Sequence, residues 1–275
     1  MGEMIIFPKA KINLGLRITG NRPDGYHDIE TIFYPIDLCD ALEFVQAGEN
    51  ANEDIIVITG RRNCGKPEEN LVIRSLRKLR EYFSVPPLKI HLHKAIPTGA
   101  GLGGGSSDAA STIKVINKHF SLSLSSEEMK IIALGLGSDC PFFIDCDPVV
   151  ATGRGEIMQP IGPILAGYYI VLVYPGIGIS TQEAYEKCVP GTPEKKFLQL
   201  INYPITQWKD LIINDFENSI FKKYPEIGAI KQTLYDTGAL YSSMSGSGST
   251  VYGIFKGKPA VTDEIKGLVI YEGLL

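Results

Sequence analysis

Between Ile12 and Ile18 apolar side chains alternate with other residues, and this period of two predicts a strand. Similar strand-like runs recur at Ala41–Val45, Ile55–Thr59 and Leu88–His93. After Asn70 the spacing changes to threes and fours. Val72, Leu76, Leu79 and Phe83 form one apolar stripe, and Asn70 has a side chain suited to capping the helix they predict. Ser106–His119 reads as a second helix, and Ser125-Ser126-Glu127-Glu128 spells a capping box that opens a third, through about Leu134. Tyr169–Tyr174 reads as a buried strand, Pro225 opens a helix that ends near Gly238, and Val251–Phe255 is a late strand. Gly20–Gly25 is a turn cluster around Pro23-Asp24-Gly25. Strands and helices are mixed without a regular β-α-β-α rhythm, so the expected class is α+β. Thr152–Gly167 is interrupted by Gly153, Gly155, Pro160, Gly162, Pro163 and Gly167, which places a domain boundary there: 1–155 and 156–275.

Composition narrows the class. With 275 residues, 44% hydrophobic and 21% charged, the chain can bury a core without disulfide or metal staples, and it is neither disordered nor fibrous. The net charge of −4 argues against nucleic acid and anionic membrane as partners. The nearest basic cluster, Arg74, Arg77, Lys78 and Arg80, fits the wet face of one helix. Five cysteines (Cys39, Cys64, Cys140, Cys146 and Cys188) with no C-x-x-C pair read as reduced thiols of a cytoplasmic protein. Met1-Gly2-Glu3-Met4 shows no signal-peptide pattern, and Ile6 stands where a myristoylation signal wants Ser or Thr. The longest apolar run, Tyr168–Tyr174, is far too short to span a membrane.

Ile96–Ala110, I-P-T-G-A-G-L-G-G-G-S-S-D-A-A, carries the clearest chemistry. It follows a predicted strand and opens a predicted helix. Glycines let backbone approach a ligand closely, and a helix start presents free N–H groups and the positive end of its dipole. Strand, glycine loop and helix start together make an anion site, typically for phosphate. It is not a Walker A loop, because it has no lysine. Gly99, Gly101 and Gly104 satisfy G-x-G-x-x-G, but Glu127 and Glu128, the nearest acids at dinucleotide-fold spacing, open a helix instead of ending a strand. Ser106 replaces the valine of the protein-kinase loop, and no H-R-D segment exists.

The spelling P-T-G-A-G-L-G-G-G-S-S-D-A-A resembles the second motif of the GHMP kinases (galactokinase, homoserine, mevalonate and phosphomevalonate kinases). Pro8-Lys9-Ala10-Lys11-Ile12-Asn13-Leu14 resembles the first motif and Met244-Ser245-Gly246-Ser247-Gly248-Ser249 the third, so the resemblance covers most of the chain in the right order. It implies a two-domain fold with the active site in the cleft between domains, and an enzyme that uses ATP and Mg²⁺ to phosphorylate a small-molecule alcohol. Thr19–His27 and Gly137–Phe143 resemble the members that act on a cytidine-diphosphate-linked methylerythritol, a precursor in the non-mevalonate route to isoprenoids. Asp108 departs from some members, which have asparagine there; an acid suits a first helical turn. Two alternatives stay open: a homoserine- or mevalonate-type kinase, against which R-P-D-G-Y-H argues, and a non-catalytic nucleotide sensor, which would not need both Lys11 and Asp139.

The resemblance also implies residue roles. Asp139 is the catalytic aspartate that orients the hydroxyl and accepts its proton; read without the family, a turn aspartate bonding its own backbone is the favoured reading. Lys11 lies near the transferred phosphoryl group, whereas its parity with Lys9, Asn13 and Arg17 alone suggests a wet strand face. Pro97, Thr98, Gly99, Ala100, Gly101, Leu102, Gly103, Gly104, Gly105, Ser106 and Ser107 hold the nucleotide's phosphates, with Ser106 or Ser107 touching magnesium, while Asn70, Leu71 and Lys94 border the adenine. Asn13 holds the hydroxyl or the lysine, or only satisfies backbone groups. Tyr26 stacks on cytosine, His27 bonds its edge, Tyr185 closes the other side or is a core aromatic, and Thr181 contacts the polyol or phosphate or caps a helix. His91 and His93 share a strand face but no third ligand is spaced to join them, so no protein-held metal is expected.

Overall fold

Leu88–Lys94 alternates strictly between buried and exposed positions, which is how a strand with one covered face is read from sequence. Leu88, Ile90, Leu92 and Lys94 point inward; Lys89, His91 and His93 point to solvent. The two histidine rings lie 2.9 and 3.0 Å from the Thr59 hydroxyl. The structure is a computed structural model and describes residues 4–48, 51–61, 66–186 and 188–275. Met1, Gly2, Glu3 and Cys64, named in the sequence reading, lie outside the described residues.

In chain order the strands are β1 (Met4–Ile6), β2 (Lys9–Asn21), β3 (His27–Cys39), β4 (Ala41–Gln46), β5 (Ile55–Gly60), β6 (Leu88–Lys94), β7 (Val149–Gly153), β8 (Ile157–Pro160), β9 (Tyr169–Val173), β10 (Tyr241–Met244), β11 (Val251–Phe255) and β12 (Val269–Leu274). The α-helices are α1 (Leu71–Arg80), α2 (Gly104–His119), α3 (Ser126–Leu134), α4 (Phe142–Asp145), α5 (Thr181–Tyr185), α6 (Phe197–Leu200), α7 (Trp208–Leu211), α8 (Glu217–Lys223), α9 (Pro225–Asp236) and α10 (Asp263–Lys266). The mixture is α+β, as expected.

The chain packs as two compact units whose segments alternate along the sequence. One comprises Met1–Ala10, Leu38–Thr98 and Gly103–Asp147. Its sheet runs β1-β4-β6-β5, with β5 parallel to β6 and the other pairs antiparallel. α1 and α2 pack on each other, burying Val72, Leu76 and Leu79 from one and Ala109, Ala110, Ile113 and Ile116 from the other. Asn70 caps α1 by accepting from Val72 N–H, and the Ser125–Glu128 capping box opens α3. α1 ends before Phe83, and Arg80 is not on a wet face: its guanidinium pairs with Asp54 and donates to the Val85 and Pro86 carbonyls.

The other unit comprises Lys11–Asp37, Gly99–Leu102 and Pro148–Leu275. It holds two sheets, β2-β3-β7-β8 and the antiparallel β10-β11-β9-β12. Its core joins Leu16, Ile18 and Ile29 to Val171, Val173, Phe216, Ile227, Ile230 and Leu234. The segment Thr152–Gly167 begins as an antiparallel hairpin, β7–β8, with Gly153 (φ +67°) and Gly155 (φ +109°) in its turn. The charged and proline-containing run His27–Cys39 is a 13-residue strand; its Glu30 is buried because Phe197 N–H donates to it and Arg17 lies 3.9 Å away.

Candidate active site

On β2 Lys9 is exposed, but Lys11 and Asn13, which share its parity, are not wet. Lys11 and Asn13 are 3% and 1% exposed, so their polar atoms need partners inside the protein. Lys11 Nζ donates to Asn13 Oδ1 and also lies 4.9 Å from the centre of the Phe33 ring. Asn13 Nδ2 donates to Thr31 Oγ1 (2.9 Å), which in turn donates to the Gly15 carbonyl (2.6 Å). Asn13 N–H donates to Ser245 Oγ (3.1 Å), whose hydroxyl donates to the Gly101 carbonyl (2.8 Å). Lys11 N–H reaches the Leu102 carbonyl, and Thr250 N–H the Ala100 carbonyl. Tyr252 OH donates to the Asn13 carbonyl (2.8 Å), and Asn214 Nδ2 donates to the carbonyls of Met244 and Gly246. Three segments far apart in sequence, Lys11–Asn13, Gly99–Leu102 and Ser245–Gly246, are therefore one hydrogen-bonded assembly.

Glycine is required where these segments meet. Gly101 has φ +78°, and a Cβ there would lie 1.9 Å from the Ser245 carbonyl oxygen. Gly99 and Gly103 also have positive φ, at +67° and +70°. Gly103 is the N-cap of α2 and offers no side chain to the first turn, so no side-chain cap occupies those N–H groups. The helix starts at Gly104, two residues earlier than its hydrophobic pattern suggests, inside the glycine cluster. The glycine run thus supplies both a loop bent by positive φ and an uncapped helix start, the two requirements of an anion cradle.

Around α2 the Ser106 hydroxyl hydrogen-bonds the buried Cys140 thiol, which burial pushes up to about 11. Asp139 is its half-buried neighbour, in the turn before α4, so this turn lies beside the first turn of α2. Ser107 is buried, and Thr98, Gly99 and Gly105 are exposed. Asn70 is engaged as a cap, and the buried Lys94 ammonium donates to both Asp40 and Asp108.

On β3, His27 stacks on Tyr185 with ring centroids 4.6 Å apart and planes 20° apart, and Tyr185 meets Phe216 edge-on at 4.9 Å. Tyr26 is 54% exposed, and the Arg154 guanidinium lies over its ring at 4.0 Å. The expected aromatic pair is thus differently partnered: Tyr185 faces His27, and Tyr26 faces Arg154. Thr181 is exposed at the first position of α5, where Ser180 provides the cap.

Two family descriptions match the chain: GHMP kinases N terminal domain over residues 70–145 and GHMP kinases C terminal over residues 204–266. A 4-diphosphocytidyl-2-C-methyl-D-erythritol kinase of Bacteroides thetaiotaomicron is 49% identical over 92% of each chain. One of Azobacteroides pseudotrichonymphae is 50% identical over 92% of this chain and 94% of its own. The chain belongs to the GHMP kinase family. Among solved structures, a 4-(cytidine 5'-diphospho)-2C-methyl-D-erythritol kinase superposes with a TM-score of 0.77 at 29% identity, covering 92% of this chain and 91% of the other. The mevalonate kinase of Methanococcus jannaschii, at 16% identity and a TM-score of 0.63, shares the fold.

Several residues of this GHMP kinase that serve the polar assembly escape a motif reading. Thr31, Asn214 and Tyr252 are buried partners of Lys11–Asn13 and Ser245–Gly246, yet each looks ordinary in sequence. Arg154 sits in a glycine turn that reads in sequence as a domain boundary; only the fold brings it onto Tyr26.

Proposed function

We propose that this GHMP kinase transfers the γ-phosphoryl group of ATP to the 2-hydroxyl of 4-diphosphocytidyl-2-C-methyl-D-erythritol, in the cytoplasm. The reading is carried by the hydrogen-bonded assembly of Lys11–Asn13, Gly99–Leu102 and Ser245–Gly246, in a chain whose relatives bear that substrate's name. ATP supplies the phosphoryl group, and Mg²⁺ offsets the charge of its phosphates. The loop fits such a ligand: Gly99 and Gly103 bend it with positive φ, and the α2 start has no side-chain cap.

The loop Pro97–Ser107 holds the phosphates through the backbone N–H groups of its glycines and of the uncapped α2 start, with the Ser106 or the Ser107 hydroxyl touching magnesium. Lys11 offsets negative charge on the transferred group, and Asn13 fixes the lysine's ammonium. Asp139 orients the acceptor hydroxyl and takes its proton. Tyr26, His27 and Tyr185 form the aromatic wall for cytosine, Arg154 joins them through its stack on Tyr26, and Thr181 contacts the polyol. Asn70 and Leu71 border the adenine, whereas the Lys94 ammonium, expected there, is buried between Asp40 and Asp108. Catalysis on this account is mostly positioning and charge stabilisation, with little covalent chemistry for the protein.

The role of Asp139 is tested with Asp139→Asn. Losing a general base removes about 10²–10⁴-fold in rate. The variant is expected to bind ATP normally and lose turnover by that factor; normal turnover would remove Asp139 from the mechanism.

A further inference from the structure

Lys94 ends β6 with its ammonium buried, donating to one oxygen of Asp40 and, at 2.7 Å, to Asp108 Oδ2. Both carboxylate side chains are nearly inaccessible, at 0% and 4% exposure. Asp40 lies between β3 and β4, and its second oxygen accepts the N–H groups of Ala95 (2.7 Å) and Ile96 (2.8 Å). Those two residues carry the chain from β6 to the glycine loop. Asp108 stands in the opening turns of α2, on the far side of that loop. The lysine also lies against the helix start: a Cβ on Gly104 would be 3.3 Å from Lys94 Nζ and 2.8 Å from Ile96 Cγ2.

We infer that Asp40, Lys94 and Asp108 form a buried positioning network that locks the exit of β6 to the second turn of α2, one turn beyond the first-turn place expected for Asp108 because the helix starts at Gly104, and so sets the aim of the phosphate-binding N–H groups. The inference rests on the reading of that loop as the nucleotide site, and it assigns Lys94 and Asp108 a role through the backbone and not through contact with the nucleotide. Buried ion clusters contribute little net stability, because desolvation offsets their attraction, but they can specify one arrangement. Here the arrangement is specific. One lysine joins two carboxylates, one carboxylate holds the strand exit by two N–H groups, and the other belongs to the helix. Asp108 Oδ1 is buried with no hydrogen-bond partner. Burial, with the Asp40 carboxylate and against the Lys94 ammonium, raises Asp108 to about 7. A carboxyl in that state is well mimicked by a neutral amide of the same shape.

The test compares Asp108→Asn with Asp108→Leu, reading ADP binding by calorimetry, the KM for ATP, the KM for the cytidyl polyol and thermal stability. The network predicts that Asp108→Asn binds ADP within about 2-fold of wild type. Asp108→Leu, which keeps the bulk and loses the link to Lys94, weakens ADP binding and raises the KM for ATP by about 10-fold, well inside the loss that a small misplacement causes. The KM for the polyol stays within about 2-fold, because positioning of the nucleotide is the only thing changed. A merely structural role would lower the melting temperature and leave ADP affinity in the folded protein unchanged. Equal ADP affinity in wild type and Asp108→Leu overturns the inference, as does an Asp108→Asn variant as impaired as Asp108→Leu. Because ADP binding needs no acceptor, the network is judged even if the wild type fails to phosphorylate the cytidyl polyol. A wild type that binds no ADP removes the nucleotide loop and the network with it.

Discussion

Gly101 gives the sharpest quantitative handle on the phosphate loop. Alanine there meets two obstacles that can be separated. The first is its φ of +78°, a left-handed conformation that costs an L-residue about 1–2 kcal/mol. The second is collision: the new Cβ would sit 1.9 Å from the Ser245 carbonyl oxygen and 2.9 Å from its carbon. Both obstructing atoms are backbone, so no side chain can rotate away, and overpacking of this kind costs about 1–3 kcal/mol or more. Relief by backbone movement would break the Ser245 hydroxyl's bond to the Gly101 carbonyl and the Thr250 N–H bond to Ala100. Together the cost is about 2–5 kcal/mol. Gly99 is the internal control, because its φ of +67° imposes the same strain while its Cβ would meet nothing within 4 Å. At about 2–4 °C per kcal/mol, Gly101→Ala should lower the melting temperature by roughly 10 °C and Gly99→Ala by about 4 °C. The assay is calorimetric melting of both variants beside steady-state KM for ATP. Gly101→Ala should also raise that KM, since the loop must shift to accept the methyl. Equal melting temperatures and equal KM values for the two variants would refute the assignment of a backbone-to-backbone contact at Gly101.

Tyr26→Ala should raise the KM for the cytidyl substrate by about 10-fold, as loss of base stacking is worth about 1–3 kcal/mol, and leave the KM for ATP unchanged; equal rises in both would point to general loosening. Asn13→Ala removes an acceptor of the Lys11 ammonium and a donor to Thr31, so it should cost several-fold in kcat and about 1–3 kcal/mol in stability, read by turnover and denaturant melts. Asp108 predicts a pH dependence of stability. Its native value of about 7 lies above the unfolded value near 3.8, so the native state holds a proton that the unfolded state has lost between those two values. Stability therefore falls as pH rises from about 4 to 7 and levels above, by a few kcal/mol at about 1.36 kcal/mol per unit; Asp108→Asn flattens that slope in urea melts.

Elements carried by local chemistry were legible in the sequence. The Asn70 cap, the Ser125–Glu128 capping box, the Pro225 helix start and the alternation along β6 all appear where their residues place them. What stayed hidden depended on distant partners. β3 is a long strand in spite of Pro35 and its acids, because Phe197 N–H and Arg17 compensate Glu30 from far along the chain. The polar parity of Lys11 and Asn13 suggests a wet face, yet Thr31, Ser245 and Tyr252 enclose it. Lys94 is outwardly the same kind of residue as Lys89 on its strand, and only the fold shows that two carboxylates hold it. The compact units are built from alternating segments, an organisation that composition along a chain cannot express.

The central claim is the identity of the phosphoryl acceptor. It is tested most directly by a coupled ADP-release assay with ATP, Mg²⁺ and 4-diphosphocytidyl-2-C-methyl-D-erythritol, run beside mevalonate, homoserine and galactose. The account predicts turnover with the cytidyl polyol alone. ADP release with another acceptor and none with the cytidyl polyol would contradict it.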